Sequence, residues 1–301
     1  MLSKWDYAKL FFWYLAHPAK AYSRVRYALD MRKVLRAKLP ALRPAAPGAP
    51  SVCVSLTSYG SRIRWAHVAI RSMMLQTVPP NRIVLWLGEE SDDVALSPEL
   101  VELERLGVEI RRGVENLKSH KKYYFAMKEL EGTDTLLITV DDDILFPPDV
   151  VQTLLEAHAQ LPECVVARRT HRIKVVGDAV ARYLDWDIEF TEKTPVPRKS
   201  LVATTGAGVL YPPSTYAKLV ADPDDIRRLA LHADDLWLRA VETTVGVDVA
   251  FAPNSCPMPH LVLNAQEEAL AYNNVEGGNN DVVMDELMSH FSLQASDFVD
   301  D

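Results

Sequence analysis

Cysteine is scarce: the 301 residues hold three, Cys53, Cys164 and Cys256, odd in number and far apart. Such spacing excludes a disulfide framework or a zinc knuckle, and a reducing compartment is the expected setting. Long hydrophobic runs are missing as well. The apolar run near the amino terminus, Leu10 to Ala16, is seven residues, against the ~20 that a bilayer span requires. No basic stretch leads into a long apolar core with a small-residue cleavage site, so no secretory signal is expected. Positive charge is not in excess either. With 33 Lys and Arg against 41 Asp and Glu the net charge is −8, which argues against a nucleic-acid partner. No internal repeat is visible. Hydrophobic residues at 48% and charged residues at 25% exclude collagen-like, disordered and coiled-coil chains, and leave one large α/β domain with appendages.

The charge is unevenly spread. Residues 1–45 carry ten Lys and Arg against Asp6 and Asp30, a balance of +8, and the remainder is −16. Trp5, Ala8, Phe12 and Leu15 recur at helical spacing beside Lys4, Lys9 and Lys20. Residues 1–39 are therefore expected to form an amphipathic helical segment on a membrane surface, with cations toward anionic headgroups. The alternative is a helix packed on its own domain or on a partner. Residues 40–50, rich in proline and alanine, read as a stiff linker. The folded domain is expected over 51–285, with a frayed acidic tail at 286–301.

Within the domain, apolar runs alternate with helical patterns. Val52–Leu56, Arg82–Leu87, Val108–Arg111 and Thr135–Val140 read as strands. Helices are expected near 98–106, 119–131 and 234–244, and one opens after Pro147-Pro148. Further strands are expected at Cys164–Ala167, Val202–Thr204 and Val247–Phe251. The alternation predicts an α/β fold with a mostly parallel, Rossmann-like sheet covered by helices.

Asp141-Asp142-Asp143 follows an apolar strand, Thr135–Val140. That places three carboxylates at the carboxyl edge of the sheet, where open α/β folds bind ligands. In extended backbone, Asp141 and Asp143 would share a side and Asp142 would point elsewhere. Two such anions repel, and a divalent cation offsets the repulsion. Mg²⁺ or Mn²⁺ suits hard oxygen ligands completed by phosphate and water. The alternative is a solvated acidic turn that caps the following helix.

The strand with its acidic triplet, Thr135–Phe146 (TLLITVDDDILF), resembles the DxD element of nucleotide-sugar glycosyltransferases with the GT-A fold. The chain is closest in flavour to family-2-like bacterial enzymes that build capsule, O-antigen and other cell-surface glycans. VSLTSYGSRI, LQTVPPNRIVLWL, SHKKYYFAMKEL, TTGAGVLYPP and ADDLWLRA stand in the order such enzymes show, over roughly residues 51–285.

The resemblance implies a metal-dependent transferase that takes a nucleoside-diphosphate sugar, a UDP-sugar first, and glycosylates a glycan or lipid-linked acceptor. It places Thr57, Ser58, Tyr59 and Arg62 at the nucleotide, with Lys121 or Lys122 at the base or phosphates. Asp141 and Asp142 would contact the donor, and Gly206 and Gly208 would form a loop beside its sugar. Asp141, Asp143 and His260 would hold the metal. Asp234 or Asp235 would be the base of an inverting reaction, with Asp234 preferred, although the family usually has a Glu-Asp pair there. The expected location is the cytoplasmic face of the inner membrane, held peripherally. Softer features are the basic cluster Arg168, Arg169, His171 and Arg172, which suits phosphates or an anionic acceptor, and Trp186, read as an acceptor platform or a core residue. A loop at 273–281 is expected to close over substrate. Two other readings stand beside this one. A sugar nucleotidyltransferase would need a glycine-rich first loop, and SLTSYGSR has a single glycine. A binding protein on a degenerate transferase fold would not need the acids.

Overall fold

The structure, a computed structural model, describes residues 18–253, 260–262 and 279–300. Residues Met1–Lys38 and Leu39–Asp301 form two compact units. In the first, α1 (Pro18–Arg36) is the described element. Its Tyr22, Val25 and Leu29 are exposed, interleaved with Arg24, Arg26, Arg32 and Lys33. No helix among the described residues is long and apolar enough to cross a membrane. The expected aromatic stripe of Trp5, Phe12 and Leu15 lies outside the described residues.

The second unit is an α/β domain built on a seven-stranded sheet. Its strands are β1 (Val52–Ser58), β2 (Arg82–Gly88), β3 (Glu109–Val114), β4 (Leu136–Thr139), β5 (Val165–Ala167), β6 (Val209–Tyr211) and β7 (Val249–Phe251). The spatial order is β7-β5-β6-β4-β1-β2-β3. β6 runs antiparallel between β4 and β5, and the other strands are parallel. β1 and β4 are buried along almost their whole length, which is why they read as continuous apolar runs rather than alternating ones. The chain lays β2 and β3 on one side of β1 and β4 on the other. The carboxyl ends of β1 and β4 therefore flank a topological switch point, where such sheets open a crevice.

Helices α2 (Ala66–Met74), α3 (Pro98–Arg105), α4 (Lys121–Leu130), α5 (Val150–Gln160) and α6 (Asp234–Thr244) cover the sheet. Leu100 and Leu103 of α3 are fully buried, as are Tyr123 and Met127 of α4. Ser97 starts α3 by accepting the Leu100 N–H on its side chain at 3.3 Å, an ordinary helix cap. A smaller antiparallel sheet, 187–190, 170–172 and 201–203, stands beside the main one. Arg239 ties α6 to it: the buried guanidinium donates to the Leu201 carbonyl and the Val247 carbonyl, both at 3.2 Å.

Two expectations about the ends of the domain are corrected. The proline-rich stretch is no free spacer: Leu39 and Leu42 pack on the core, and the Leu42 N–H donates to the Leu106 carbonyl at 2.9 Å. The tail is not frayed. α7 (Asn279–Phe291) buries Val283, Met284 and Leu287, and Phe298 is 1% exposed. Asp300 accepts the Ser200 N–H at 3.0 Å and its hydroxyl at 2.7 Å. Apolar side chains set at helical spacing outweigh the acidity of the tail that suggested disorder. Of the loop expected at 273–281, residues 273–278 lie outside the described part and 279–281 open α7.

Candidate active site

The acidic triplet emerges where β4 ends. Because the strand stops at Thr139, residues 141–143 turn, and the two-residue alternation of an extended chain lapses there. Asp141 and Asp143 consequently do not pair off against Asp142, as the sequence suggested. Asp142 and Asp143 share one cation instead. The Arg62 guanidinium, from the turn after β1, donates to Asp142 and lies 3.1 Å from Asp143 Oδ2. Ser58 closes β1 by donating its hydroxyl to Asp142. Burial pushes the Asp142 carboxyl above its usual range even with Arg62 and Ser58 attached.

Asp141 faces the other way, toward Lys122 at the start of α4. The Lys122 ammonium is 2.7 Å from Asp141 Oδ1 and 3.1 Å from Asp234 Oδ2. It thereby links the triplet to the second acidic pair through a side chain 2% exposed. Burial alone would lower this ammonium, but Asp141 and Asp234 hold it above its ordinary value.

Asp234 and Asp235 open α6, where the helix dipole favours anions. Thr205 holds both. Its N–H donates to Asp235 Oδ1 at 2.8 Å, and its hydroxyl lies 2.7 Å from Asp235 Oδ1 and 2.8 Å from Asp234 Oδ2. A hydroxyl has one proton, which goes to one carboxylate at a time, so the two acids cannot stand alike. The electrostatics agree. Burial and the Asp234 charge push Asp235 up to about 7. Burial opposes ionisation of Asp234 too, but Lys122 overrides it and holds that carboxyl well below the usual range. Beneath the pair, burial brings His120 down to about 4. The neutral ring bridges the Ala230 carbonyl and the Tyr123 hydroxyl, each at 2.8 Å.

The loop between 203 and β6 completes the site. Gly206 is there for space: a Cβ would lie 2.0 Å from Asp141 Oδ2. The Gly206 carbonyl accepts the Asp141 N–H at 3.0 Å. Gly208 adopts φ +109, a conformation open to glycine, and a Cβ there would meet Val150 at 3.0 Å.

The other expected site residues fall variously. Tyr59 stacks under Arg62, with 5.3 Å from guanidinium to ring. Thr57 donates its hydroxyl to the Trp86 carbonyl at 2.8 Å, a strand-to-strand tie. Lys121 turns from Lys122 and pairs with Glu90 at 2.6 Å, and burial pulls its ammonium below the ordinary value. Trp186 is a core residue, 5% exposed, with its indole N–H on the Ala181 carbonyl at 2.8 Å. The backbone of His260 pairs with Leu145, and its side chain lies outside the described residues. Thr205, which organises both aspartates, carries no sequence signal beyond its place before Gly206.

Among the described residues, no three carboxylate, imidazole or thiolate groups converge as a closed metal site. Mg²⁺ and Mn²⁺ ask for less, one or two protein carboxylates with phosphate and water. Asp141, on Lys122, and Asp143, on Arg62, face different cations, so each is a candidate for a single such ligand. Asp141 gives one oxygen to Lys122 and turns the other into the cradle left by Gly206, and its side chain is 40% exposed. No family model matches the chain, and no curated protein matches it.

Proposed function

We propose that this chain is a glycosyltransferase of the GT-A type, moving a sugar from a nucleoside-diphosphate donor, a UDP-sugar first, to a hydroxyl of a glycan or lipid-linked acceptor in bacterial cell-surface polysaccharide synthesis. One observation carries the reading. At the switch point of the sheet, one buried lysine joins a strand-end acidic triplet to a second acidic pair, and one threonine holds both members of that pair. A fold alone supports no activity, but this constellation has separate places for a diphosphate and for a base.

Asp141 and Asp143 would hold Mg²⁺ or Mn²⁺, which when bound neutralises charge on a diphosphate. Arg62, across Asp142 and Asp143, adds fixed positive charge beside the same place, and Tyr59 offers a ring to a nucleobase. Asp235 takes the proton. It is partly exposed, no lysine or arginine among the described residues is paired with it, and its affinity for a proton suits a general base near neutral pH. Asp234, preferred from sequence, is instead neutralised by Lys122 and serves to fix Thr205 and raise Asp235. The acceptor oxygen forms a bond to the anomeric carbon as the bond from that carbon to the diphosphate oxygen breaks. The hydroxyl proton passes to Asp235, and the electron pair leaves with the nucleoside diphosphate, inverting the anomeric centre. Residues 1–39 would hold the enzyme to the cytoplasmic face of the inner membrane, where a lipid-linked acceptor is confined.

Calorimetric titration of UDP, GDP, CDP and dTDP with Mn²⁺ tests the reading. The expected result is binding of one nucleotide, UDP first, that is lost with EDTA and in Asp143→Ala. Folded protein that binds none of the four refutes it.

A further inference from the structure

The basic cluster that follows β5 divides into residues tied to buried or outward partners and one, Arg169, whose guanidinium is held only in part. Arg168 is buried and donates to Asp149 Oδ1 at 2.9 Å and Thr153 Oγ1 at 3.1 Å. His171 accepts the Glu189 N–H at 3.0 Å, and burial with the neighbouring Arg169 keeps its pKa down to about 4, so it is no cation. Arg172 lies outward, 2.8 Å from Asp187 Oδ2 and 4.6 Å from the Phe190 ring.

Arg169 differs. Its Nη2 is 3.3 Å from Glu189 Oε1, a carboxylate whose side chain is 55% exposed, and pairs of that kind contribute little. Its Nε is buried with no hydrogen-bond partner among the described residues, although a guanidinium carries five donors in a fixed fork. The backbone of Arg169 runs beside the residues that hold the base. The Arg169 carbonyl accepts the Thr204 N–H at 3.0 Å and the Thr204 hydroxyl at 3.1 Å, and the next residue, Thr205, holds Asp235. Glu189, the partner of Arg169, donates its N–H to His171, and Tyr183 stands against that ring. The Tyr183 ring lies 4.9 Å from Trp186 and edge-on to His171 at 6.0 Å. Arg169, its partner Glu189 and these rings thus adjoin the stretch of chain that holds the base.

Five acidic side chains crowd this crevice (Asp141, Asp142, Asp143, Asp234 and Asp235), so a neutral sugar needs no arginine there and an anionic one does. We infer that Arg169 recognises an anionic group on the acceptor, a carboxylate or a phosphate carried next to the hydroxyl that Asp235 deprotonates. This rests on the transferase reading for the role of Asp235, while the anion site is testable by itself. The planar fork matches either anion through two parallel hydrogen bonds, displacing Glu189.

The test is binding without nucleotide or metal, followed by saturation-transfer NMR on the full chain. Methyl glucuronide, glucose 6-phosphate and neutral methyl glucoside are compared in the wild type, Arg169→Gln, Arg169→Lys and Arg172→Gln. The expected result is at least about tenfold tighter binding of one or both anions than of the glucoside. That preference should vanish in Arg169→Gln, survive in part in Arg169→Lys and be intact in Arg172→Gln, with unchanged thermal melts. A preference for the glucuronide alone assigns a carboxylate acceptor, and one for the sugar phosphate alone assigns a phosphorylated acceptor. Equal binding of all three sugars, binding of none, or a preference that persists in Arg169→Gln overturns the inference. Because nucleotide is left out, failure here is separate from failure of the nucleotide titration.

Discussion

Replacing Lys122 with methionine keeps the length and most of the volume of the side chain and deletes its charge. Among the described residues the ammonium is the cation paired with Asp234 and with Asp141, at 3.1 and 2.7 Å, and its side chain is 2% exposed. Breaking a buried pair on one side costs about 3–5 kcal/mol, because the remaining charge is left uncompensated. For a domain of this size, that is a fall in Tm of roughly 6–20 °C. The pH dependence gives the sign. Lys122 holds the Asp234 carboxyl low against burial. Its stabilisation is therefore present above the unfolded carboxylate value of about 4 and is lost as pH falls through the depressed folded value. In the variant, burial acts unopposed and raises Asp234, so acidification from pH 7 toward pH 5 protonates it and relieves the penalty. Urea unfolding followed by tryptophan fluorescence, at both pH values, should show a gap from wild type that is largest at pH 7 and narrows at pH 5. A loss under about 1 kcal/mol, or a gap that widens on acidification, refutes the bridging role of Lys122.

Further outcomes follow from the same geometry. Asp235→Asn should lower sugar transfer by about 10²–10⁴-fold and leave nucleotide affinity unchanged. The wild-type rate should climb as pH rises through about 7, where Asp235 loses its proton; a flat profile, or a fully active variant, would move the base elsewhere. Gly206→Ala places a Cβ 2.0 Å from Asp141 Oδ2, so far-UV circular dichroism should be preserved while metal-dependent nucleotide binding, read by calorimetry, falls; retained affinity would show that Asp141 does not need its cradle.

Several elements were legible because a single physical signal defined them. The strand of Leu136–Thr139 is buried on both faces and reads as an unbroken apolar run, and α6 starts at Asp234 and ends at Thr244 as its spacing indicates. β6 was not foreseen: Val209–Tyr211 is three residues between a glycine loop and Pro212-Pro213, too short for periodicity to register. Its antiparallel placement is what brings Thr205 and Gly206 against Asp141. The small sheet of 170–172, 187–190 and 201–203 was likewise obscured by short strands, polar residues and a bulge between Asp187 and Phe190.

The sequence by itself determined the class of the fold, the acidic triplet at a strand end and the acidic pair at a helix start, because local pattern and turn chemistry depend on neighbours in the chain. Which carboxylate meets which cation was decided only by tertiary structure. Lys121 and Lys122 are adjacent and chemically identical, yet one goes to Glu90 and the other spans Asp141 and Asp234. Arg168 and Arg169 part in the same way, toward Asp149 and toward Glu189. Neighbours on a chain diverge in direction, and an ion pair contributes according to distance and burial. Those two quantities exist only once β1, β4, β6 and α6 have converged.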